Sequence, residues 1–284
     1  MNSLLYVNWD VDPNIINTTG FNLGYYNLLF VGGLILSAWI VKKIFKKEGL
    51  PDNYYERLAM YCLVGIVLGA RLGHCLFYQP DYYLKHPFEM IFPFSWESGT
   101  FKFTGYRGLA SHGGAIGLII AVLLFYRKTG IHFLRVFDYI AIVAPLGGAF
   151  IRLGNLMNSE IIGNPTHLPW AFIFTRVDQI PRHPAQLYEA IAYLTFFLLV
   201  FMIYNKRGKT LKNGFLFGLV LILIFTFRFF IEFLKQEQVD FEKGLLLNMG
   251  QWLSIPFILL GIYLVFFHKD PGNKKENLKT VHKN

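Results

Sequence analysis

Three polar clusters in this chain carry groups able to hold an anion, and a fourth could move a proton. The densest is Arg152-Leu-Gly-Asn-Leu-Met-Asn-Ser-Glu-Ile-Ile-Gly163, in which Arg152, Asn155, Asn158 and Glu160 fall within nine residues at the end of an apolar run. A guanidinium stays charged when water is withdrawn, and its planar fork matches the oxygens of a phosphate. The second cluster, Arg182-His-Pro-Ala-Gln-Leu-Tyr-Glu189, opens another apolar run. Pro184 suits a helix start, which puts Gln186, Tyr188 and Glu189 in the first turns. The third is Arg228 with Glu232, four apart inside Phe-Arg-Phe-Phe-Ile-Glu-Phe, on one helix face where they can neutralise each other. His112, in Ser111-His-Gly-Gly114, adds an imidazole, a group able to move a proton near neutral pH.

Each pattern also has a plainer reading. Arg152 and Glu160 could form an ion pair that only ties down a loop, and the Arg182 segment could be a polar helix start. Arg228–Glu232 could be a structural pair, and His112 an interfacial histidine bonded to a loop. Tyr25-Tyr26 fits an aromatic belt. Arg71 with His74 reads as structural, Asp138 as a cap or a partner of Arg135, and Cys62 and Cys75 as core packing.

The elements that must position these groups are apolar helices. The 284 residues are 54% hydrophobic and only 16% charged, where a soluble domain is nearer a quarter charged. Runs long enough to cross a bilayer recur at 22–41, 57–78, 113–127, 133–151, 186–204, 213–234 and 248–268. The expectation is an all-α integral membrane protein: a bundle of about seven transmembrane helices in one multi-pass domain, 1–268, with a basic tail at 269–284. Residues 1–21 have no basic start, so the first span is expected to act as its own insertion signal.

The net charge of +9 reads as topology rather than nucleic-acid binding. With the N-terminus outside, the segments that fall on the cytoplasmic side hold 17 Lys/Arg against 8 on the outer side. That bias predicts N-out, C-in. Two long, proline-rich connections, 79–112 and 152–185, then lie on the outer face, the first with a short hairpin around Trp96–Thr104. Long ordered loops on one face mark it as the working face. His112, Arg152, Glu160, Arg182, Glu189, Arg228 and Glu232 are expected to converge there. Ions within a bilayer span are costly unless they meet partners or a polar cavity. A cation-rich pocket in a membrane suits an anionic lipid headgroup.

At these residues the sequence resembles the bacterial prolipoprotein diacylglyceryl transferases. The family signature reads roughly Gly-Arg-x-Gly/Ala-Asn-Phe-x-Asn-x-Glu-x-x-Gly; Arg152, Gly154, Asn155, Asn158, Glu160 and Gly163 match it, while Ile151 and Leu156 depart from it. The resemblance extends to Gly69-Ala-Arg-Leu-Gly-His74, His112-Gly-Gly114, the Arg182–Glu189 segment, and Arg228 with Glu232. Ile224 stands where some members carry a Tyr, and Asn27 where a Gly is common.

The resemblance implies transfer of the diacylglyceryl group of phosphatidylglycerol to the lipobox cysteine of a prolipoprotein, at the outer face of the bacterial cytoplasmic membrane. His112, Arg152, Arg228 and Glu232 would be the catalytic set. Arg152, Asn155, Asn158, Glu160, Gly163, Tyr26, Arg182, Gln186, Tyr188 and Glu189 would line the substrate site. No metal, nucleotide or other cofactor is implied, because the phospholipid is the activated donor. The alternative from another class is a transporter or flippase of an anionic lipid, which also needs intramembrane ions. The absence of an internal repeat and the clustering of polar groups on one face weigh against it.

Overall fold

The computed structural model describes residues 6–18, 21–92, 94–97, 100–103, 108, 110–208, 210–236 and 247–269. Beyond Lys269, the expected basic tail lies outside the described residues. In chain order the elements are β1 (Val7–Trp9), β2 (Asn14–Thr18), β3 (Phe21–Gly24), α1 (Tyr25–Lys47) and α2 (Asp52–Phe77). The short α3 (Pro80–Tyr83) and α4 (Phe88–Ile91) follow, then β4 (Phe94–Glu97), β5 (Thr100–Phe103) and α5 (Ser111–Thr129). Next come α6 (Phe133–Met157), β6 (Phe172–Phe174), β7 (Pro181–Arg182), α7 (Ala185–Arg207), α8 (Phe215–Ile231) and α9 (Met249–Ile262). Two compact units result, one from residues 1–41 with 138–284 and the other from residues 42–137.

Among the described residues, six helices are long and apolar enough to cross a membrane: α1, α2, α6, α7, α8 with the 3-10 turn that follows it, and α9 with its π-helical continuation. The chain is a mostly helical, multi-pass membrane protein. The expected span 113–127 falls within α5, whose 19 residues begin with Ser111-His112 and end with Arg127-Lys128-Thr129, leaving a shorter apolar centre. Large apolar side chains stand exposed along the helices, Ile35, Leu63, Leu198 and Leu259 among them, as a lipid solvent permits.

In the unit of residues 42–137, α2 and α5 touch backbone to backbone. Gly65, Gly69 and Gly73 face Gly113 and Gly117, and a methyl added at Gly65 would lie 2.6 Å from the Gly117 carbonyl oxygen. Small residues four apart allow that approach where no hydrophobic effect drives helices together. Arg71, buried on α2, donates to the Glu89 carbonyl at 2.7 Å and to the Tyr83 hydroxyl at 3.3 Å, which fastens the α3–α4 segment. This fits the structural reading of Arg71. The expected hairpin is present: β4 and β5 pair antiparallel from Phe94↔Phe103 to Glu97↔Thr100.

In the other unit, α8 and α9 begin on specific contacts. The Asp138 carboxylate on α6 accepts from the backbone amides of Gly214 and Phe217, both at 2.8 Å, so an anion sits at the positive end of α8. Asp138 thus caps a helix far along the chain. Arg135, in the unit of residues 42–137, pairs with Glu48, 3.5 Å away. A capping box starts α9: Asn248 Oδ1 accepts from the Gln251 amide at 2.9 Å and Gln251 Oε1 accepts from the Asn248 amide at 3.0 Å.

The connections add small sheets to the helices. β1 runs parallel to β6, which pairs antiparallel with β7, and β2 with β3 forms a hairpin. Beneath the β1–β6 sheet, Leu156, Ile162 and Phe174 form a small core joined by Trp9, Phe172 and Leu187. That core seats the loop leaving α6, where the densest polar cluster lies.

Candidate functional site

The α6 helix carries Arg152 and Asn155 in its last turns and then reverses. Ser159 and Ile161 adopt left-handed backbone conformations, with φ of 56° and 57°. For the β-branched Ile161 this is a strained state that its surroundings must enforce. The enforcing bonds are the Glu160 amide to the Asn155 carbonyl at 2.9 Å, the Ser159 amide to the Leu156 carbonyl at 3.1 Å, and Gln186 Nε2 to the Glu160 carbonyl. Gln186 is fully buried in the first turn of α7. The strained turn directs Glu160 back onto two amides: Asn155 Nδ2 donates to Oε2 at 3.2 Å and Asn158 Nδ2 to Oε1 at 3.1 Å. Arg152 Nη1 in turn donates to Asn155 Oδ1 at 3.2 Å.

The carboxylate facing Arg152 is Glu189, so the plainer Arg152–Glu160 pairing is not the contact made. Arg152 Nε lies 3.1 Å from Glu189 Oε2, and the Glu189 side chain is wholly buried. Tyr193 donates to Glu189 Oε1 at 3.5 Å, and Lys235 Nζ donates to the same oxygen at 3.0 Å. Lys235 also donates to Glu232 Oε1 at 3.1 Å. Arg228 Nε stands 3.7 Å from that oxygen, while Asn248 Nδ2 donates to Glu232 Oε2 at 3.3 Å. Gly250 lies so close that a methyl there would come within 2.7 Å of the Glu232 carboxyl carbon. The result is an alternating chain of five charged side chains, Arg152, Glu189, Lys235, Glu232 and Arg228, with a guanidinium at each end.

Alternation is what keeps such a group inside a low-dielectric bundle, since each buried carboxylate has a cation on either side. Some polar capacity is left over: Gln186 Oε1, Ser159 Oγ and Arg228 Nε are buried without a hydrogen-bond partner among the described residues. The Arg228 side chain retains 37% exposure against 4% for Lys235.

Other residues singled out from the sequence frame this chain. The Tyr26 ring lies on Gly154, where a methyl would meet its Cδ2 at 2.7 Å; the ring also stacks on Phe30. Gly163 is where three strands of chain converge: a methyl there would lie 2.5 Å from the His183 carbonyl oxygen and 2.9 Å from that of Leu234. Gly163 bridges Lys235, and the Asn164 amide donates to the Leu234 carbonyl at 2.8 Å.

Arg182 is buried and turned to a scaffold contact. Its Nη2 and Nε donate to Asp178 Oδ2 at 2.6 and 3.1 Å, and Nη1 to the Gly163 carbonyl at 3.4 Å. The Arg182 guanidinium holds the Asp178 carboxyl below the usual carboxylate range. Burial pushes the neighbouring His183 imidazole downward. The Tyr188 hydroxyl accepts from Trp170 Nε1 at 2.9 Å. His112 belongs to the other unit, exposed in the first turn of α5.

Sequence reasoning missed Lys235 and Asn248. A lysine just past an apolar helix reads as an ordinary loop charge. The available signal was its position three residues after Glu232, on the same helical face. Asn248 was visible only as the start of an Asn-x-x-Gln cap.

Chemically, an alternating chain ending in two arginines at a membrane-embedded helix cluster can bind a phosphate oxyanion and stabilise charge on it. Comparison with known proteins points the same way. A model of the prolipoprotein diacylglyceryl transferase family matches residues 13–267. The phosphatidylglycerol–prolipoprotein diacylglyceryl transferase of Bacteroides fragilis is 53% identical over 275 residues, covering 96% of this chain and 98% of the relative. Those of Tolumonas auensis and Chloroherpeton thalassium are 44% and 41% identical, covering 90% and 94% of this chain and 95% and 96% of the relatives. With similarity of that degree running almost from end to end, the chain belongs to the prolipoprotein diacylglyceryl transferase family.

Proposed function

We propose that the chain transfers the diacylglyceryl group of phosphatidylglycerol to the lipobox cysteine of a prolipoprotein, the first step of bacterial lipoprotein maturation. The observation that carries this reading is the Arg152–Glu189–Lys235–Glu232–Arg228 chain, an anion-binding constellation within a lipid-facing helix bundle. Family membership supplies the reaction class. An anionic-lipid transporter has no support from that membership.

In the reaction a bond forms between the cysteine sulfur and the glyceryl carbon that bears the phosphate ester. The carbon–oxygen bond to phosphate breaks, its electron pair leaves with that oxygen, and glycerol phosphate is released. Arg152 and Arg228 are assigned to the phosphate, where charge develops as the bond breaks. Glu232 and Glu189 orient them. Asn155, Asn158, Glu160, Gln186 and Gly163 shape the headgroup site, with Tyr26 and Tyr188 at its edges. Arg182 belongs to the set through the loop it clamps. A free thiol of pKa about 8.5 is mostly protonated at neutral pH, so a base is needed, and His112 takes the thiol proton.

The same reading places the protein in the cytoplasmic membrane with the N-terminus outside, the C-terminus inside and the site toward the outer face. The excess of Lys/Arg in the alternate connections supports that orientation. Lipid and signal segment would then both approach through the bilayer.

The test uses purified protein in nanodiscs with phosphatidylglycerol and a lipobox peptide, read by mass spectrometry. A diacylglyceryl increment on the cysteine that disappears in Arg152→Ala is the expected result. Folded protein giving no increment would overturn the reading.

A further inference from the structure

Lys235 is a buried cation to which no role has so far been given. Its residue exposure is 6%, its backbone is bridged to Gly163, and its ammonium donates to both Glu189 and Glu232. An ammonium is a compact charge with three donors and can serve two carboxylates at once, whereas a guanidinium fork tends to capture one.

The arginines on either side approach those carboxylates nearest through Nε. Arg152 meets Glu189 through Nε at 3.1 Å, and Arg228 meets Glu232 through Nε at 3.7 Å. An unrestrained arginine–carboxylate pair often closes fork to fork, which occupies the terminal nitrogens that would otherwise grip a phosphate. At Glu232 the oxygen nearest Arg228 is Oε1, the one that Lys235 already binds. At Glu189, Lys235 holds Oε1 while Oε2 faces Arg152, whose Nη1 is given to Asn155. Asn248 restrains the second Glu232 oxygen from the other side.

We infer that Lys235 is a positioning residue for the phosphate site: it restrains Glu232 from closing on Arg228 and so keeps the Arg228 fork open to the lipid headgroup, while it holds Glu189 as the fixed partner of Arg152. The inference rests on the diacylglyceryl-transfer reading. Lys235 acts through the carboxylates and does not itself touch substrate.

The experiment measures kcat and KM for phosphatidylglycerol in nanodiscs, at saturating lipobox peptide, for the wild type, Lys235→Met, Glu232→Gln and the double variant. In Lys235→Met the freed Glu232 carboxylate competes with the headgroup for Arg228, so KM rises about tenfold or more while kcat changes less. Adding Glu232→Gln to that background removes that competitor and lowers KM again by about threefold or more, while kcat falls because Arg228 loses its orienting partner. A purely structural lysine would instead give losses that accumulate in the double variant. Unchanged KM in folded Lys235→Met, or additive losses, overturns the inference. If thermal melts show that Lys235→Met does not fold, Lys235→Gln carries the same expected rise, and an unchanged KM there overturns it equally. A wild type inactive on phosphatidylglycerol rejects the reaction itself, and the role of Lys235 falls with it. Activity with an indifferent KM rejects only the lysine's role.

Discussion

The indole of Trp9 donates to the Leu156 carbonyl at 3.0 Å, tying the first strand to the last turn of α6 across 147 residues. Leu156 sits between Asn155 and Asn158, so this bond holds the backbone that presents both amides. Trp9→Phe keeps an aromatic ring over the small core but leaves the carbonyl without its donor. The expected cost is about 1 kcal/mol, or a fall in melting temperature of roughly 2–4 °C. Thermal unfolding in detergent reads this directly, and an unchanged melting temperature would show the bond to be dispensable.

Arg152→Lys keeps the charge and discards the fork. A single ammonium cannot meet Glu189, Asn155 and a phosphate in the geometry of a planar guanidinium. Turnover should fall about 100-fold or more, the scale on which loss of an oxyanion donor is felt. Near-normal turnover would remove the bidentate role assigned to Arg152.

For His112→Asn, the proposed base role fixes the shape of a pH profile. At neutral pH turnover should fall by roughly 100-fold. It should recover as pH rises toward the thiol's own value of about 8.5, where thiolate forms without help. A loss of the same size at every pH would assign His112 to structure instead.

The Asp178–Arg182 clamp predicts an acid-dependent stability. Because the folded carboxyl titrates below its unfolded value of about 3.9, the folded state binds fewer protons there and loses stability as pH falls. Its contribution is complete above about pH 4 and fades as pH drops through the lowered folded value. Wild type should therefore melt above Asp178→Asn at pH 5 to 7, with the gap closing toward pH 3. A gap as large at pH 3 as at pH 7 would mean the ion pair is not its source.

Much of this architecture could be read before any coordinates. The long apolar runs announced the helices, because a bilayer core demands length and apolarity over any finer pattern. The polar clusters were legible for the same reason, each being an exception that lipid makes conspicuous. The β1–β6 pairing was not, since three residues of strand pair with three others more than 160 positions away and leave no local periodicity. Partner choice was hidden as well. Spacing favoured Glu160 for Arg152, but the left-handed turn at Ser159–Ile161 swings Glu160 onto amides and leaves Arg152 to Glu189. Asp138 was legible as a cap or a partner of Arg135, but not which helix it caps, since the α8 amides it accepts from lie more than seventy positions on.

The seam between Ile162–Asn164 and Leu234–Gln236 joins stretches of chain about seventy residues apart, with the Asn164 side chain donating to the Phe233 carbonyl across 69 positions. Synthesis runs from the N-terminus, so the chain passes through a stage in which α6 and α7 are present and Lys235 is not. At that stage Glu189 has Arg152 as its only cation from the chain of five, and the second guanidinium is still to come. If the proposed phosphate role holds, competence to grip a phosphate arrives only when α8 and the turn behind it have been made and Lys235 pairs with Gly163. On the proposed assignment, a chain made only as far as α7 lacks the arm formed by Arg228, Glu232 and Lys235, and the headgroup site is complete only after residue 235 has been added.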